Sequence, residues 1–269
     1  MRIASWNINS VRTRAHRAIN LLQQHDIDVL CLQETKVADD KFPTEPFEEA
    51  GYHVSCFGLN QWNGVAIISR EKPEEVWTSF PGQPGFAKDP EAEQSLEARA
   101  IGARIRGIEI WSLYVPNGRE ITDRHYAYKL QFLYQLARYA ESRSNSKFLL
   151  TGDFNIAPRD TDVWDIEAFR GKTHVTEPER AAFQMLLEAG LTEVTRAHTL
   201  DKRYTYFDYK ASVSLKTKAC ASTSSWPVQR LPMPAPPPTS ISPNGPAIRP
   251  PTTAFLIADY DLPDFDSVR

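Results

Sequence analysis

Two hydrophobic periods alternate along the chain. Short apolar runs of four to eight residues predict strands, and stretches in which apolar residues return every three or four positions predict helices. The strands fall at residues 2–6, 29–32, 65–69, 100–105, 108–115 and 148–151. Between them, Ala15, Ala18, Ile19 and Leu22 share one helical face, and Tyr126, Leu130, Leu133, Ala137 and Ala140 share another. A third helix is announced by Thr176, Pro178 and Glu179, which spell a capping box, and is closed by Gly190. Strand pairs with helices between the groups predict stacked sheets covered by outer helices, an α/β (α+β) arrangement.

The pattern breaks between residues 212 and 253. This interval holds 10 of the 20 prolines and no Asp, Glu, Phe or Tyr, in a chain that is 24% charged and 11% aromatic. Proline removes ladder donors, and little apolar surface remains to offset the entropy of ordering. The interval is therefore expected to supply no sheet strands and to be disordered or poorly packed. A strand-like run, FLIADYDL, returns after it.

With 269 residues, 41% of them hydrophobic, the chain is long enough for one sizeable core, and a single domain over 1–269 is expected. Its formal charge of -3 excludes a uniformly basic nucleic-acid binder, so any such surface must be local. Cys31, Cys56 and Cys220 have no metal-like spacing and read as reduced thiols of an intracellular protein. The N-terminus opens directly on a strand pattern, and no apolar run approaches the ~20 residues of a membrane span. A cytoplasmic protein without a membrane partner is expected.

Polar clusters close four of the strands: Trp6-Asn7-Ile8-Asn9, Leu32-Gln33-Glu34-Thr35-Lys36, Tyr114-Val115-Pro116-Asn117-Gly118 and Thr151-Gly152-Asp153-Phe154-Asn155. Each alone fits a turn, where Asn and Asp are at home. Together they resemble a site. A carboxylate directly after an apolar run, as in VLCLQE and FLLTGD, sits on a rigid element and offers a hard oxygen to Mg²⁺. Such a site needs few carboxylates, because water and a substrate phosphate complete the octahedron. Asn adds polar contacts without adding negative charge, and the combination points to phosphoester chemistry.

The strings SWNINS, LQETK, NGVAIISR, YVPNG and GDFNIAP, in this order and spacing, resemble the exonuclease III branch of the endonuclease/exonuclease/phosphatase superfamily. The resemblance covers the chain as far as residue 210 and includes RYTYFDYK, similar to the family's aromatic segment near DNA. It implies a four-layer αββα sandwich of two mixed sheets and a monomeric DNA-repair hydrolase. The implied activities are 3′ to 5′ exonuclease on duplex DNA, incision at abasic sites and removal of 3′ blocking groups. It implies Mg²⁺, with Mn²⁺ as substitute, held by Glu34 and Asn7 together with Asp153 and Asn155. Asp153 then orients and deprotonates the attacking water, Asn155 contacts the phosphate, and Tyr114 faces it. Asn63, Gly64, Asn117, Arg119, Arg124, Lys129, Tyr206 and Phe207 are the implied DNA contacts. A solvated helix face fits Lys129 equally well, and a place in the core fits Tyr206 and Phe207. His16, His25, His53, His125, His174 and His198 lie outside the strand-end clusters and read as surface or core histidines.

The resemblance also implies an Arg-Ile-Asp segment and a Ser-Asp-His segment before the last strand, the histidine bonding phosphate and a buried Asp orienting it. Neither is present, and no histidine follows His198. Residues 218–227 can be written with the codons AAG GCA TGC GCA TCG ACT TCA TCC TGG CCA, and the same letters read from the third base spell Gly-Met-Arg-Ile-Asp-Phe-Ile-Leu-Ala. Two compensating frame changes, near Ser212 and near Thr253, would therefore account for the interval. Without those groups the chain is expected to fold weakly, its final strand stripped of partners, and to show little or no activity. Competing readings are a superfamily phosphoesterase acting on phospholipid or inositol phosphate, and a noncatalytic DNA-binding remnant whose proline-rich tract binds a partner.

Overall fold

In the computed structural model, which describes residues 1–163, 165–194, 206–207, 219–220, 228–230 and 256–260, every strand predicted above forms. In chain order the strands are β1 (Arg2–Asn7), β2 (Val29–Gln33), β3 (His53–Phe57), β4 (Val65–Ser69), β5 (Glu75–Trp77), β6 (Ala100–Ile105) and β7 (Ile108–Tyr114). They continue with β8 (Phe148–Asp153), β9 (Thr192–Glu193), β10 (Tyr206–Phe207), β11 (Ala219–Cys220), β12 (Val228–Arg230) and β13 (Leu256–Asp259). The helices are α1 (Ala15–Gln24), α2 (Glu45–Glu49), α3 (Arg124–Ser142) and α4 (Glu177–Glu188). Among these described residues, no helix is long and apolar enough to cross a membrane.

Two mixed sheets stack face to face. The first runs β13-β1-β2-β4-β3 and the second β5-β6-β7-β8-β12-β9. Parallel pairing of β1 with β2 and of β7 with β8 combines with antiparallel neighbours. Period-two alternation divides each central strand between two cores. Val29, Cys31, Val65 and Ile67 meet Ile101, Ala103, Ile110 and Leu149 between the sheets. On the outer face of the first sheet, Leu30, Leu32, Ala66 and Ile68 pack against Ala18 and Leu22 of α1 and Phe47 of α2. On the second, Ala100, Trp111, Leu113 and Leu150 pack under Phe132, Leu133 and Leu136 of α3 and Phe183 and Leu186 of α4. Strands covered on both faces read as continuous apolar runs, and each fully buried Leu or Ile contributes ~1.5–3 kcal/mol.

The predicted caps of α4 form as the sequence spells them. The Thr176 hydroxyl accepts from the Glu179 amide while the Glu179 carboxylate accepts from the Thr176 amide, and Gly190 follows with φ +87°. Helix α3 buries a stripe that overlaps the expected one and is wider. Leu133, Ala137 and Ala140 are buried as predicted, Tyr126 and Leu130 are only partly buried, and Tyr128, Phe132 and Leu136 turn inward besides. Aromatic complementarity decides this: Phe132 meets Phe80 edge-on at 5.1 Å, and Tyr128 stacks on Phe86 at 5.0 Å.

The proline-rich interval does supply strands, contrary to expectation. β11 pairs with β10, and β12 lies antiparallel between β8 and β9. Val228, Gln229 and Arg230 fall in the gap between Pro227 and Pro232, so every residue of β12 keeps a backbone donor. The last strand also keeps a partner. β13 pairs with β1 from Arg2↔Asp259 to Ser5↔Leu256, and Arg2 Nε stands 2.6 Å from Asp259 Oδ1. Its neighbour comes from the other end of the chain and is independent of what lies in between.

Candidate active site

Four strand ends from the two sheets converge on one polar cluster. β1 ends on Asn7, opposite Gln33 of β2, and the chain turns immediately through Glu34 with φ +54°. In the second sheet, Tyr114 of β7 lies opposite Asp153 of β8 in a parallel pair. That register depends on Gly152: its φ is +143°, and a Cβ there would come within 2.0 Å of the Leu113 carbonyl oxygen. Only glycine lets β8 approach β7 this closely one residue before the carboxylate.

Asn7 joins the sheets chemically. Its Nδ2 donates to Glu34 Oε1 at 2.8 Å and to Asp153 Oδ2 at 2.9 Å, while its Oδ1 accepts from the Asn9 amide at 3.2 Å. Asp153 Oδ1 accepts from the Asn155 amide at 3.0 Å, and Asn155 Nδ2 donates to the Val115 carbonyl at 2.9 Å. Burial, and next the negative charge of Glu34, push the Asp153 carboxyl up to about 7, against the hydrogen bonds from Asn7 and Asn155. Burial, and then Glu34, raise the Tyr114 phenol well above its ordinary value, so it remains a neutral donor. The Arg99 guanidinium sits over its ring, 5.0 Å from the centroid.

The donor set suits a hard cation. Glu34 Oε2 and Asn9 Oδ1 already converge on one positive centre, the Lys36 ammonium, at 2.7 and 2.6 Å. Glu34 and Asp153 offer carboxylate oxygens, few enough for an ion that retains water and phosphate as ligands, while the Asn7 amide turns its nitrogen to both carboxylates and its oxygen to the Asn9 amide. Among the described residues, no group of three or more His, Cys, Asp or Glu clusters.

Around this centre the expected DNA contacts divide. Asn117, Arg119 and Arg124 are exposed on the segment that follows β7 and at the start of α3. Asn63 is not available to DNA: it is 1% exposed, and its loop is tied inward by Lys36 N–H to Asn63 O at 2.9 Å. Lys129 is not available either. It is fully buried and ion-paired with Glu179, because the buried stripe of α3 includes it. The strand backbone of Tyr206 and Phe207 is present, but their side chains lie outside the described residues.

Three further residues were not singled out from the sequence as candidates. Trp62, beside Asn63, is 72% exposed, and an isolated indole in a polar loop could have signalled it. Lys36 was visible in its strand-end cluster, but its contact with Glu34 depends on the left-handed turn between them. His174 brings Nε2 to 3.3 Å from Asn117 Nδ2, which in turn donates to Asn155 Oδ1 at 3.3 Å. Its distance in sequence from the strand ends concealed it.

Known proteins resemble the chain in sequence and in fold. The family described as endonuclease/exonuclease/phosphatase matches residues 4–249. Exodeoxyribonuclease III of Haemophilus influenzae is 29% identical over 222 residues, 78% of this chain and 81% of that protein. The DNA repair nuclease APEX1 of Danio rerio is 27% identical over 226 residues, 81% of this chain and 69% of that one. A variant of the 3′ phosphatase NExo from Neisseria, solved with a product DNA hairpin, superposes with a TM-score of 0.85 at 31% identity, covering 97% of this chain and 100% of that chain. An AP endonuclease from Archaeoglobus fulgidus superposes with a TM-score of 0.83 at 32% identity, with the same coverage. The family match over most of the chain and the agreement in fold put the chain in the endonuclease/exonuclease/phosphatase family, as a member of exonuclease III type.

Proposed function

We propose that this protein is a Mg²⁺-dependent DNA-repair phosphodiesterase, acting on duplex DNA as a 3′ to 5′ exonuclease, at abasic sites and on 3′-blocked ends. One observation carries the reading: the Asn7 amide spans two carboxylates, Glu34 and Asp153, drawn from opposite sheets. The names of the relatives, which include an exodeoxyribonuclease, an AP endonuclease and a 3′ phosphatase, support it.

Glu34 and Asn7, with Asp153 and Asn155 nearby, would hold Mg²⁺, or Mn²⁺ in its place; once bound, the ion neutralises charge accumulating on the phosphate. The chain's own groups do the rest. Asp153 orients water and accepts its proton, while Asn155 and the Tyr114 phenol donate to phosphate oxygens without adding charge of their own. Trp62, Asn117, Arg119 and Arg124 form the exposed rim that meets the DNA backbone. A cytoplasmic monomer is the corresponding expectation.

Turnover is expected to be slow. The sequence carries neither the Arg-Ile-Asp nor the Ser-Asp-His segment, and loss of even one preorganised donor costs ~10²–10³ in rate. The test uses a duplex with one abasic site, with Mg²⁺, Mn²⁺ or EDTA, beside a phosphoinositide panel. Slow, metal-dependent incision that is lost in Glu34→Gln, with no phosphoinositide hydrolysis, is the expected result. Cleavage as fast as that of the Haemophilus relative would overturn the predicted deficit. Absence of both binding and cleavage would overturn the nuclease reading. Binding that EDTA leaves unchanged, without cleavage, would identify a noncatalytic DNA-binding remnant.

A further inference from the structure

We infer that Lys129 and Glu179 form an internal positioning device that sets the Asn117 and Asn155 loops, and through them the phosphate-facing edge of the site. The inference rests on the reading of those two asparagines as site residues. Both charged side chains are fully buried. A buried ion pair is a poor source of net stability, because removing two charges from water costs as much as their attraction returns. Its partners show what else it does.

The Lys129 ammonium donates to the Asn155 carbonyl at 2.6 Å, the Asn117 carbonyl at 3.3 Å and the Thr173 hydroxyl at 3.2 Å, besides Glu179. Glu179 gathers the Thr173 hydroxyl at 2.6 Å, the His174 amide at 2.8 Å, and the Thr176 hydroxyl and amide at 2.7 and 3.1 Å. One pair thus ties the segment after β7, the segment after β8 and the entry to α4. The two loop carbonyls it holds belong to residues whose side chains also meet, Asn117 Nδ2 to Asn155 Oδ1.

Backbone geometry supports the assignment independently. Asn155 has φ +53° and His174 has φ +87°, conformations that cost energy for residues with a Cβ and persist only where surroundings hold them. Gly118, at φ +91°, lies against the same pair. A Cβ there would come within 2.6 Å of Thr173 Oγ1 and 3.2 Å of Lys129 Cδ. Lys129 therefore acts on the site through backbone carbonyls, without reaching the reacting atoms.

The test removes both charges together, Lys129→Met with Glu179→Gln, so that no uncompensated ion is left and glutamine still completes the α4 capping box. Side-chain amide NMR signals of Asn117 and Asn155 are compared with backbone amide signals of residues in β2 and β4. The expected result is cooperative unfolding, shifted or broadened Asn117 and Asn155 signals, and unchanged strand signals. On abasic duplex, kcat should fall ~10- to 10²-fold with KM within ~3-fold, as misplaced groups do. Thr173→Val removes one hydroxyl of the network and should shift the Asn117 signal alone. Unchanged asparagine signals in both variants would overturn the inference, as would global unfolding of both, which would assign the pair to stability alone. If the parent protein neither binds nor cleaves DNA, the functional reading fails, while the NMR comparison still decides the positioning role.

Discussion

Replacing Gly152 with alanine tests whether close approach of β7 and β8 builds the site. The added methyl would stand 2.0 Å from the Leu113 carbonyl oxygen and 2.7 Å from its amide nitrogen, both backbone atoms of the partner strand. Neither can rotate away, so the strands must separate at the pair next to Tyr114↔Asp153. A left-handed φ of +143° adds strain of ~1–3 kcal/mol, and loss of one or two ladder hydrogen bonds adds ~1 kcal/mol each. The sum, about 2–5 kcal/mol, is a large share of the ~5–15 kcal/mol by which domains are stable. At ~2–4 °C per kcal/mol for a chain of this size, the melting temperature should fall by about 4–20 °C in a calorimetric scan. Gly51→Ala is the control. Its φ is +85°, but a Cβ meets nothing within 4 Å, so it carries strain without collision and should lose only about 1–2 kcal/mol. Equal losses in the two variants would refute the close-approach argument, as would a Gly152→Ala protein that melts within 2–3 °C of the parent.

His125 should make stability fall in acid. Burial, and then the charges of Arg99 and Arg119, lower its imidazole to about 4, and its Nδ1 accepts from the Gly118 amide at 3.1 Å, which only the neutral ring can do. Between the unfolded value of about 6.5 and the folded value, the unfolded chain binds the extra proton, so stability is complete above 6.5 and is lost as pH falls toward 4, by about 2–3 kcal/mol. Urea midpoints at pH 7 and pH 4.5 for the parent and His125→Gln measure this, and identical pH slopes would contradict it. Thr176→Ala removes the α4 cap and its 2.6 Å contact with the Tyr126 hydroxyl, and should cost ~1–2 kcal/mol in the same assay. Trp62→Ala should leave the melting temperature unchanged, because the indole is exposed, yet weaken binding to abasic duplex by ~1–3 kcal/mol if it stacks on a nucleotide; unchanged affinity would remove it from the rim. Nucleotide sequencing across codons 210–256 should find codons that spell Arg-Ile-Asp and Ser-Asp-His in the shifted frame; codons that cannot do so would dismiss the frame changes.

Glu34 and Asp153 were legible in the chain because each directly follows a dense apolar run, and an apolar run that ends in a carboxylate marks a strand end. Asn7 and Tyr114 were legible for the same reason. The two short strands β3 and β5 were not: their exposure is mixed, and a three-residue edge strand carries too few positions for a period to register. β12 was missed because the proline content of the whole interval hid three residues with intact donors.

Local pattern by itself determined the central strands, the capping of α4 and the identity of the polar residues at the strand ends, since a period of two or a cap depends on neighbours a few positions away. Tertiary structure alone decided which of those ends meet. Asn7 bridges Glu34 and Asp153 only because two sheets stack with Asn7 and Gln33 at one edge and Tyr114 and Asp153 at the other. It also decided the fate of Lys129. Helical spacing puts that residue on the buried stripe of α3, and whether its ammonium can stay in the interior depends on Glu179, fifty residues away. No nearest-neighbour pattern contains that information, because the energy of a buried charge is set by partners that only the folded chain supplies.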